Sequence, residues 1–387
     1  MRIVHLYKDY YPPVEGGIER TVWRMARGAA AAGADVTVLT SAHGARHTSE
    51  ERLDGVRIVR CAEWARFLST PFCPGMPGRL ASLEADILHL QFPSPPGEIS
   101  TLIAKRSVPV VVTYQSDIVR QAALLPVYGP VVRAILARAR VIMTTSPQYL
   151  DHSPFLQPHR AKCVVIPLGI ELEGFSGNGA VDAAAADLRA RHGTPHILFV
   201  GRFRYYKGLD VLIDAMPAVR ARLVLVGAGP EEARLRAQCA RLGLGERVVF
   251  AGSVEDRMLA AHYRAADLFV LPSTHPSEAF GLVMVEAQAS GRAVVSTELG
   301  TGTSYVNVHG ETGLVVPPRN PAALAAAINR LLEDLPLRTR MGDAARRRCR
   351  QLFSSEHMVS SVLRVYESVV GSPAAGERGV RAGASAS

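Results

Sequence analysis

Short apolar runs alternate with helical stretches along most of the chain. The first half carries RIVHLY, DVTVLT, VRIVR, DILHLQ, VPVVVTY, VIMTTS and KCVVIP, and the second HILFVG, RLVLVG, RVVFAG, DLFVLP, RAVVST and TGLVVP. Most are brief, β-branched and apolar throughout, as strands must be when both faces of a parallel sheet are covered. Helices are predicted between them, over Ile18–Ala32, Pro230–Leu242, Glu255–Ala266 and Pro321–Leu332. Two successive strand–helix sets predict an α/β protein of two doubly wound, Rossmann-like domains. The join falls in the small, polar stretch Gly174–Gly179, after IPLGIELEGF. Ser355–Val370 reads as a last helix capped by Ser354 or Ser355, and GSPAAGERGVRAGASAS, from Gly371, as a disordered tail.

Composition narrows the classes. The chain has 387 residues, of which 48% are hydrophobic and 20% charged, enough for two packed cores and too apolar for a disordered protein. No run approaches the roughly 18 apolar residues of a membrane span. The opening MRIVHLYKDYY reads as a first strand and not as a signal peptide. The net charge of +9 favours anionic partners. Only Lys8, Lys105, Lys162 and Lys207 are lysines, so much of the arginine excess reflects a GC-rich codon bias. Cys61, Cys73, Cys163, Cys239 and Cys349 are scattered, which argues against a disulfide framework or structural zinc and fits a reducing cytoplasm. His43 and His47 have metal-pair spacing but no third ligand nearby, and read as a solvated loop.

In doubly wound domains ligands bind beyond the carboxyl ends of the strands, so the informative motifs should follow strands. Gly16-Gly17 in PPVEGGIER lies between the first strand and its helix, where free N–H groups can face an anion or a tight turn simply needs glycine. Gly201-Arg202-Phe203-Arg204-Tyr205-Tyr206-Lys207-Gly208 follows HILFV and holds the one lysine of the second half; its guanidinium and ammonium groups suit a diphosphate. Gly227-Ala228-Gly229, after RLVLV, is half of a dinucleotide fingerprint or a plain strand–helix turn. Ser277-Glu278-Ala279-Phe280-Gly281-Leu282-Val283-Met284-Val285-Glu286-Ala287 is the most telling segment. Its orphan N–H groups around Gly281–Val283 suit a phosphate, while Glu278 and Glu286 can accept from sugar and ribose hydroxyls. There is no Asp-x-Asp metal handle, no Walker sequence and no Ser-His-Asp arrangement.

Together these segments resemble the family 4 retaining glycosyltransferases of the GT-B fold, from Met1 to about Val370. The glutamate pair around FGL is the most specific part, reinforced by GR…KG, the early Gly-Gly loop and IPLGI. The resemblance implies an acceptor-binding domain over 1–175 and a nucleotide-sugar domain over 180–352, facing a central cleft. It also implies that helix 355–370 crosses back to the first domain, leaving a tail at 371–387. By position, Arg202 and Lys207 would hold the donor diphosphate, Glu278 the transferred sugar and Glu286 the ribose. Gly17 would let the first-domain loop approach the sugar phosphate, and Gly227, Phe280, Gly281 and Leu282 would complete the donor site. Glu278, Arg202 and Lys207 form the implied catalytic set, and no metal or other cofactor is expected.

TYQSDIVRQ, TTSPQYLDHSP and LGTGTSYVNVHGETGLVVPP resemble a narrower group, the mannosyl- and rhamnosyltransferases of bacterial O-antigen and exopolysaccharide assembly. Gln115 and Asp117 would then face the sugar or acceptor. Members of the group commonly carry histidine where this chain has Gln115, which can donate to a hydroxyl but bears no charge. The resemblance implies transfer of mannose or rhamnose from a GDP-linked donor to a lipid-linked or saccharide acceptor, in the cytoplasm or on the inner membrane face. The acceptor hydroxyl would attack from the leaving-group side without a protein nucleophile, and a diphosphate oxygen would take its proton. Val131, Val132, Ile135, Leu136 and Ala139 share a helical face flanked by Arg133, Arg138 and Arg140, which suits either an anionic membrane surface or packing on the sheet. A GT-B epimerase or hydrolase and a non-catalytic sugar- or lipid-binding module are the alternatives. A nucleic-acid partner is not expected, because no aromatic-interleaved basic patch is present.

Overall fold

The computed structural model describes residues 1–67, 69–105, 107–117 and 125–371. The expected tail beyond Gly371 lies outside the described residues. The first half runs β1 (Arg2–Leu6), α1 (Gly17–Ala31), β2 (Asp35–Ser41), β3 (Ser49–Leu53) and β4 (Val56–Cys61). It continues with the hairpin β5 (Ala65–Phe67) and β6 (Thr70–Phe72), then α2 (Met76–Ser82), β7 (Ile87–Phe92) and α3 (Pro95–Ala104). β8 (Val110–Tyr114), α4 (Leu125–Arg138), β9 (Val141–Thr144), α5 (Pro147–His152) and β10 (Cys163–Val165) complete it. The second half runs α6 (Gly179–His192), β11 (His196–Val200), α7 (Leu209–Ala215), β12 (Arg222–Val226), α8 (Glu232–Arg241), β13 (Val248–Gly252) and α9 (Asp256–Ala265). It ends with β14 (Leu268–Leu271), α10 (Leu282–Ala289), β15 (Val294–Thr297), α11 (Thr303–Val306), β16 (Gly313–Val316), α12 (Pro321–Glu333), α13 (Leu335–Leu352) and α14 (Ser355–Gly371).

Two sheets result, in the orders β10-β9-β8-β7-β1-β2-β4-β3 and β13-β12-β11-β14-β15-β16. All pairs are parallel except β3 on β4, and the central strands β7, β8, β11 and β14 are buried along their whole length. In each sheet the strand order reverses once, between β1 and β7 in the first and between β11 and β14 in the second. Crevices at such reversals are where doubly wound sheets bind ligands. The Gly-Gly, Arg202–Lys207 and Glu278 segments leave β1, β11 and β14, so the topology brings them to the two reversal points.

Helix α14 returns to the first half. Met358, Val362, Tyr366 and Val369, at helical spacing, pack with Val22, Met25, Val111 and Met143. Gly28 makes the crossing close: a Cβ there would lie 2.6 Å from the Val359 methyl groups. The helical face proposed for lipid contact is packed on the first sheet instead. Val132, Ile135, Leu136 and Ala139 are all buried, because α4 is a covering helix of that sheet.

Candidate functional site

The loop after β11 is shaped by two glycines. Gly208 has φ +67°, and a Cβ there would collide with the Pro272 carbonyl, so only glycine lets this loop lie against the end of β14. Gly227 has φ +124° and gives room to the Gly201 carbonyl, while Gly201 N–H donates to Val226 O at 3.0 Å and Phe203 N–H to Ala228 O at 2.9 Å. The loops after β11 and β12 are therefore laced backbone to backbone, which gives Gly227 a packing duty.

This lacing carries Lys207 to Glu278. Its Nζ donates to Glu278 Oε2 at 2.6 Å, and the Ser273 hydroxyl donates to the same oxygen at 3.0 Å. Lys207 is 8% exposed and Glu278 7%. Burial opposes the Lys207 charge, but the Glu278 carboxylate outweighs it and holds the ammonium above the ordinary lysine range. The other Glu278 oxygen takes no hydrogen bond from the described residues, and Thr301 fixes the backbone by donating to Glu278 O at 2.7 Å. Arg202 is exposed, and its guanidinium is unpaired among the described residues.

Gly281, at φ +81°, caps α10 without a side-chain bond and frees the first N–H groups of that helix. The first turn of α1 faces it from the other domain: a Cβ on Gly17 would stand 3.4 Å from Leu282 Cδ1. Gly16 likewise offers no side-chain cap to α1. Two helix N-termini thus converge from opposite domains, the arrangement suited to an anion. Arg20 reaches across to Asp256 at 3.1 Å, and Arg24 is held by Glu171 at 2.6 Å. Both lend positive charge to Glu286, whose Oε2 accepts from Tyr263 OH at 2.7 Å. Burial nonetheless pushes the Glu286 carboxyl upward.

Three candidates have other neighbours. The Phe280 side chain is buried edge-on to Phe353, their centroids 5.8 Å apart, so only its backbone is left for a ligand. Asp117 accepts from Tyr114 OH and from Ser153 Oγ. Gln115, only 3% exposed, starts a buried chain: Nε2 donates to Gln91 Oε1 at 2.9 Å, and Gln91 Nε2 donates to His89 Nε2 at 3.1 Å. His89 Nδ1 then donates to Tyr366 OH of α14 at 2.5 Å, which reaches His5 Nε2 at 3.3 Å. Burial lowers the pKa of both histidines, His5 to about 3, and keeps them neutral. Sequence reasoning missed Ser273, Tyr263, Thr301, Arg20 and Arg24; the only available signal was a hydroxyl just past the apolar run of β14. Among the described residues no group of three or more His, Cys, Asp or Glu side chains is placed to hold a metal ion.

The family description "Glycosyl transferases group 1" matches residues 181–348, and "Glycosyl transferase 4-like domain" matches 16–169. The chain is 34% identical to the O-antigen chain mannosyltransferase C of Escherichia coli, over 96% of this chain and 99% of that one. It is 37% identical to the D-rhamnosyltransferase WbpZ of Pseudomonas aeruginosa, over 92% and 93% of the two chains. Among solved structures, sucrose-phosphate synthase from Thermosynechococcus elongatus superposes with a TM-score of 0.81 at 26% identity, covering 96% and 99%.

Proposed function

Because the chain belongs to the group 1 glycosyl transferases and has their GT-B fold, we propose that it moves a mannosyl or rhamnosyl unit from a GDP-linked donor to a lipid-linked saccharide, with retention, in O-antigen or related polysaccharide assembly. The observation that carries this reading is the Lys207–Glu278 pair set beside two helix N-termini from opposite domains whose N-cap residues, Gly16 and Gly281, bring no side chain, with the Glu19 carboxylate lying over the first turn of α1. The donor diphosphate lies between those N-termini, with Arg202 and Lys207 as its cations. Glu278 presents its free oxygen to hydroxyls of the transferred sugar, and Glu286 presents its own to the ribose. The acceptor hydroxyl attacks the anomeric carbon from the leaving-group face, a diphosphate oxygen takes its proton, and the bond to the nucleoside diphosphate breaks. Charge growing on that leaving group meets donors already in place, so little reorganisation is needed. The preference for mannose or rhamnose is supported by the names of the two relatives.

The test is a thermal-shift panel of GDP, UDP and ADP with their sugars, followed by transfer to polyprenyl-diphosphate saccharides and NMR of the product anomer. Stabilisation by GDP and GDP-mannose or GDP-rhamnose is expected, with an α-linked product and transfer unchanged by EDTA. A shift with UDP alone overturns the GDP assignment; an inverted product overturns retention.

A further inference from the structure

Six of the thirteen exposed large apolar side chains among the described residues fall between Trp64 and Val127: Trp64, Phe67, Phe72, Ile99, Ile103 and Val127. Such clustering on a folded surface marks a contact site, whereas scattered exposure does not. Pairing of Ala65 with Phe72 and of Phe67 with Thr70 puts both phenylalanines on one face of the β5–β6 hairpin. That hairpin packs on α3, where Ile99 and Ile103 stand one turn apart on the outer side. Helix α3 in turn packs on α4, whose first turn bears Val127, 83% exposed. The hairpin follows β4, α3 follows β7 and α4 follows β8, so the hairpin and the first turns of α3 and α4 lie at the carboxyl edge of the first sheet, the edge that faces the cleft, and Ile103 extends the patch along α3.

Charge separates the candidate occupants. β5, β6, α2, α3 and α4 carry Arg66, Arg79, Arg133 and Arg138 and one acid, Glu98. Glu98 is fully buried, accepts from Ser94 N–H at 2.7 Å and from Tyr128 OH, and is held largely protonated by burial. Arg66 and Arg79 are paired with acids of neighbouring segments, while Arg133 is exposed. A face of aromatic and aliphatic tips with the exposed Arg133 and no exposed acid on its own elements matches the headgroup boundary of an anionic bilayer.

We propose that this rim, with Phe67 and Phe72 on the hairpin and Ile99 and Ile103 on α3, docks on an anionic lipid surface and turns the cleft mouth toward it. The acceptor can then enter the cleft without leaving the bilayer, a consequence that rests on the lipid-linked acceptor proposed above.

Trp64 serves as a reporter, since the chain has only one other tryptophan, Trp23, which Trp23→Phe removes. Vesicles of phosphatidylglycerol and phosphatidylcholine, with and without brominated acyl chains, are titrated into this variant. A blue shift and bromine quenching are expected with anionic vesicles, weakening with salt and absent on phosphatidylcholine alone. Phe67→Ser/Phe72→Ser is expected to weaken partitioning at least tenfold with unchanged melting. No binding at low salt overturns the proposal. So does a change in self-association by sedimentation velocity without a change in vesicle binding, which assigns the face to a second copy. A parallel GDP-mannose titration reads the donor separately: vesicle binding without nucleotide binding leaves the docking face standing and removes only the proposed donor.

Discussion

Replacing Glu278 with glutamine separates its part in holding the fold from the part proposed for it in the reaction. The carboxylate takes the Lys207 ammonium at 2.6 Å and the Ser273 hydroxyl at 3.0 Å, with both charged partners almost fully buried. The amide keeps an oxygen for Nζ but leaves the buried ammonium without its counter-charge, so the cost falls at the low end of that for breaking a buried pair, about 3 kcal/mol. Lys207→Met is harsher: it leaves a buried carboxylate with one hydroxyl, and breaking a buried pair costs about 3–5 kcal/mol. The double variant Lys207→Met/Glu278→Gln has no unpaired charge and should be about 1–3 kcal/mol more stable than the sum of the singles implies. At roughly 2–4 °C per kcal/mol for a domain of this size, the differences are readable by circular dichroism melting. Release of the nucleoside diphosphate gives the rate, which should fall ~10²–10³ in each single variant and not recover in the double. Additive stabilities would show that the two side chains do not act as a pair. Full transfer by Glu278→Gln would remove Glu278 from the reaction.

Gly208 and Gly243 share φ +67°, but only Gly208 has a carbonyl where a Cβ would go. Gly243→Ala should cost about 1–2 kcal/mol for the left-handed backbone and Gly208→Ala clearly more, measured by urea unfolding; equal costs would refute the steric argument. Tyr366→Phe leaves the His89 Nδ1–H without its 2.5 Å acceptor and should cost about 1–3 kcal/mol by the same measurement, whereas unchanged stability would break the buried chain. Burial raises the Glu98 pKa from 4.5 to about 8, so the native state keeps a proton that the unfolded chain releases. This contribution to stability is full below pH 4.5 and is lost as pH rises to about 8. Glu98→Gln should therefore gain on the wild type by up to about 1.4 kcal/mol per pH unit across that window in pH-dependent melting, and a constant difference would refute it.

The strands of both sheets were legible because burial on two faces demands continuous β-branched runs. β3 was not: SEERL is charged, and it forms only because an antiparallel edge strand can face water. Helix α6 begins where the sequence suggested a linker, since GAVDAAAADLRARH has little amphipathic pattern and depends on the Asn178 cap, which accepts from Val181 N–H at 3.0 Å. The site was legible as residue types after strands, with Lys207 made conspicuous by the rarity of lysine. Its pairing with Glu278, 71 positions away, was not, because loop packing through Gly208 sets it. Sequence could not reveal either that Phe280 turns inward or that Gln115 spends its amide nitrogen on Gln91. Those are consequences of side-chain packing, and periodicity is silent on them.

The two reversal points explain why one site arises from segments so far apart in sequence. The loop after β1 supplies the α1 N-terminus; those after β11 and β14 supply Arg202, Lys207, Glu278 and the α10 N-terminus. Neither domain holds both N-termini, so a diphosphate is enclosed only when the halves face each other. At this edge Ala279 packs against the first-domain core, and an ion pair also crosses. The Arg20–Asp256 pair is half-exposed, and such pairs contribute about 0.2–1 kcal/mol. Helix α14 returns the chain to the first half and packs there through Met358, Val362 and Tyr366. An anion between two helix N-termini is worth up to about 2 kcal/mol per helix when partly buried. On the proposed function, a donor diphosphate between the two N-termini would add more to this approach than the Arg20–Asp256 pair does, where Gly17 and Leu282 already face each other.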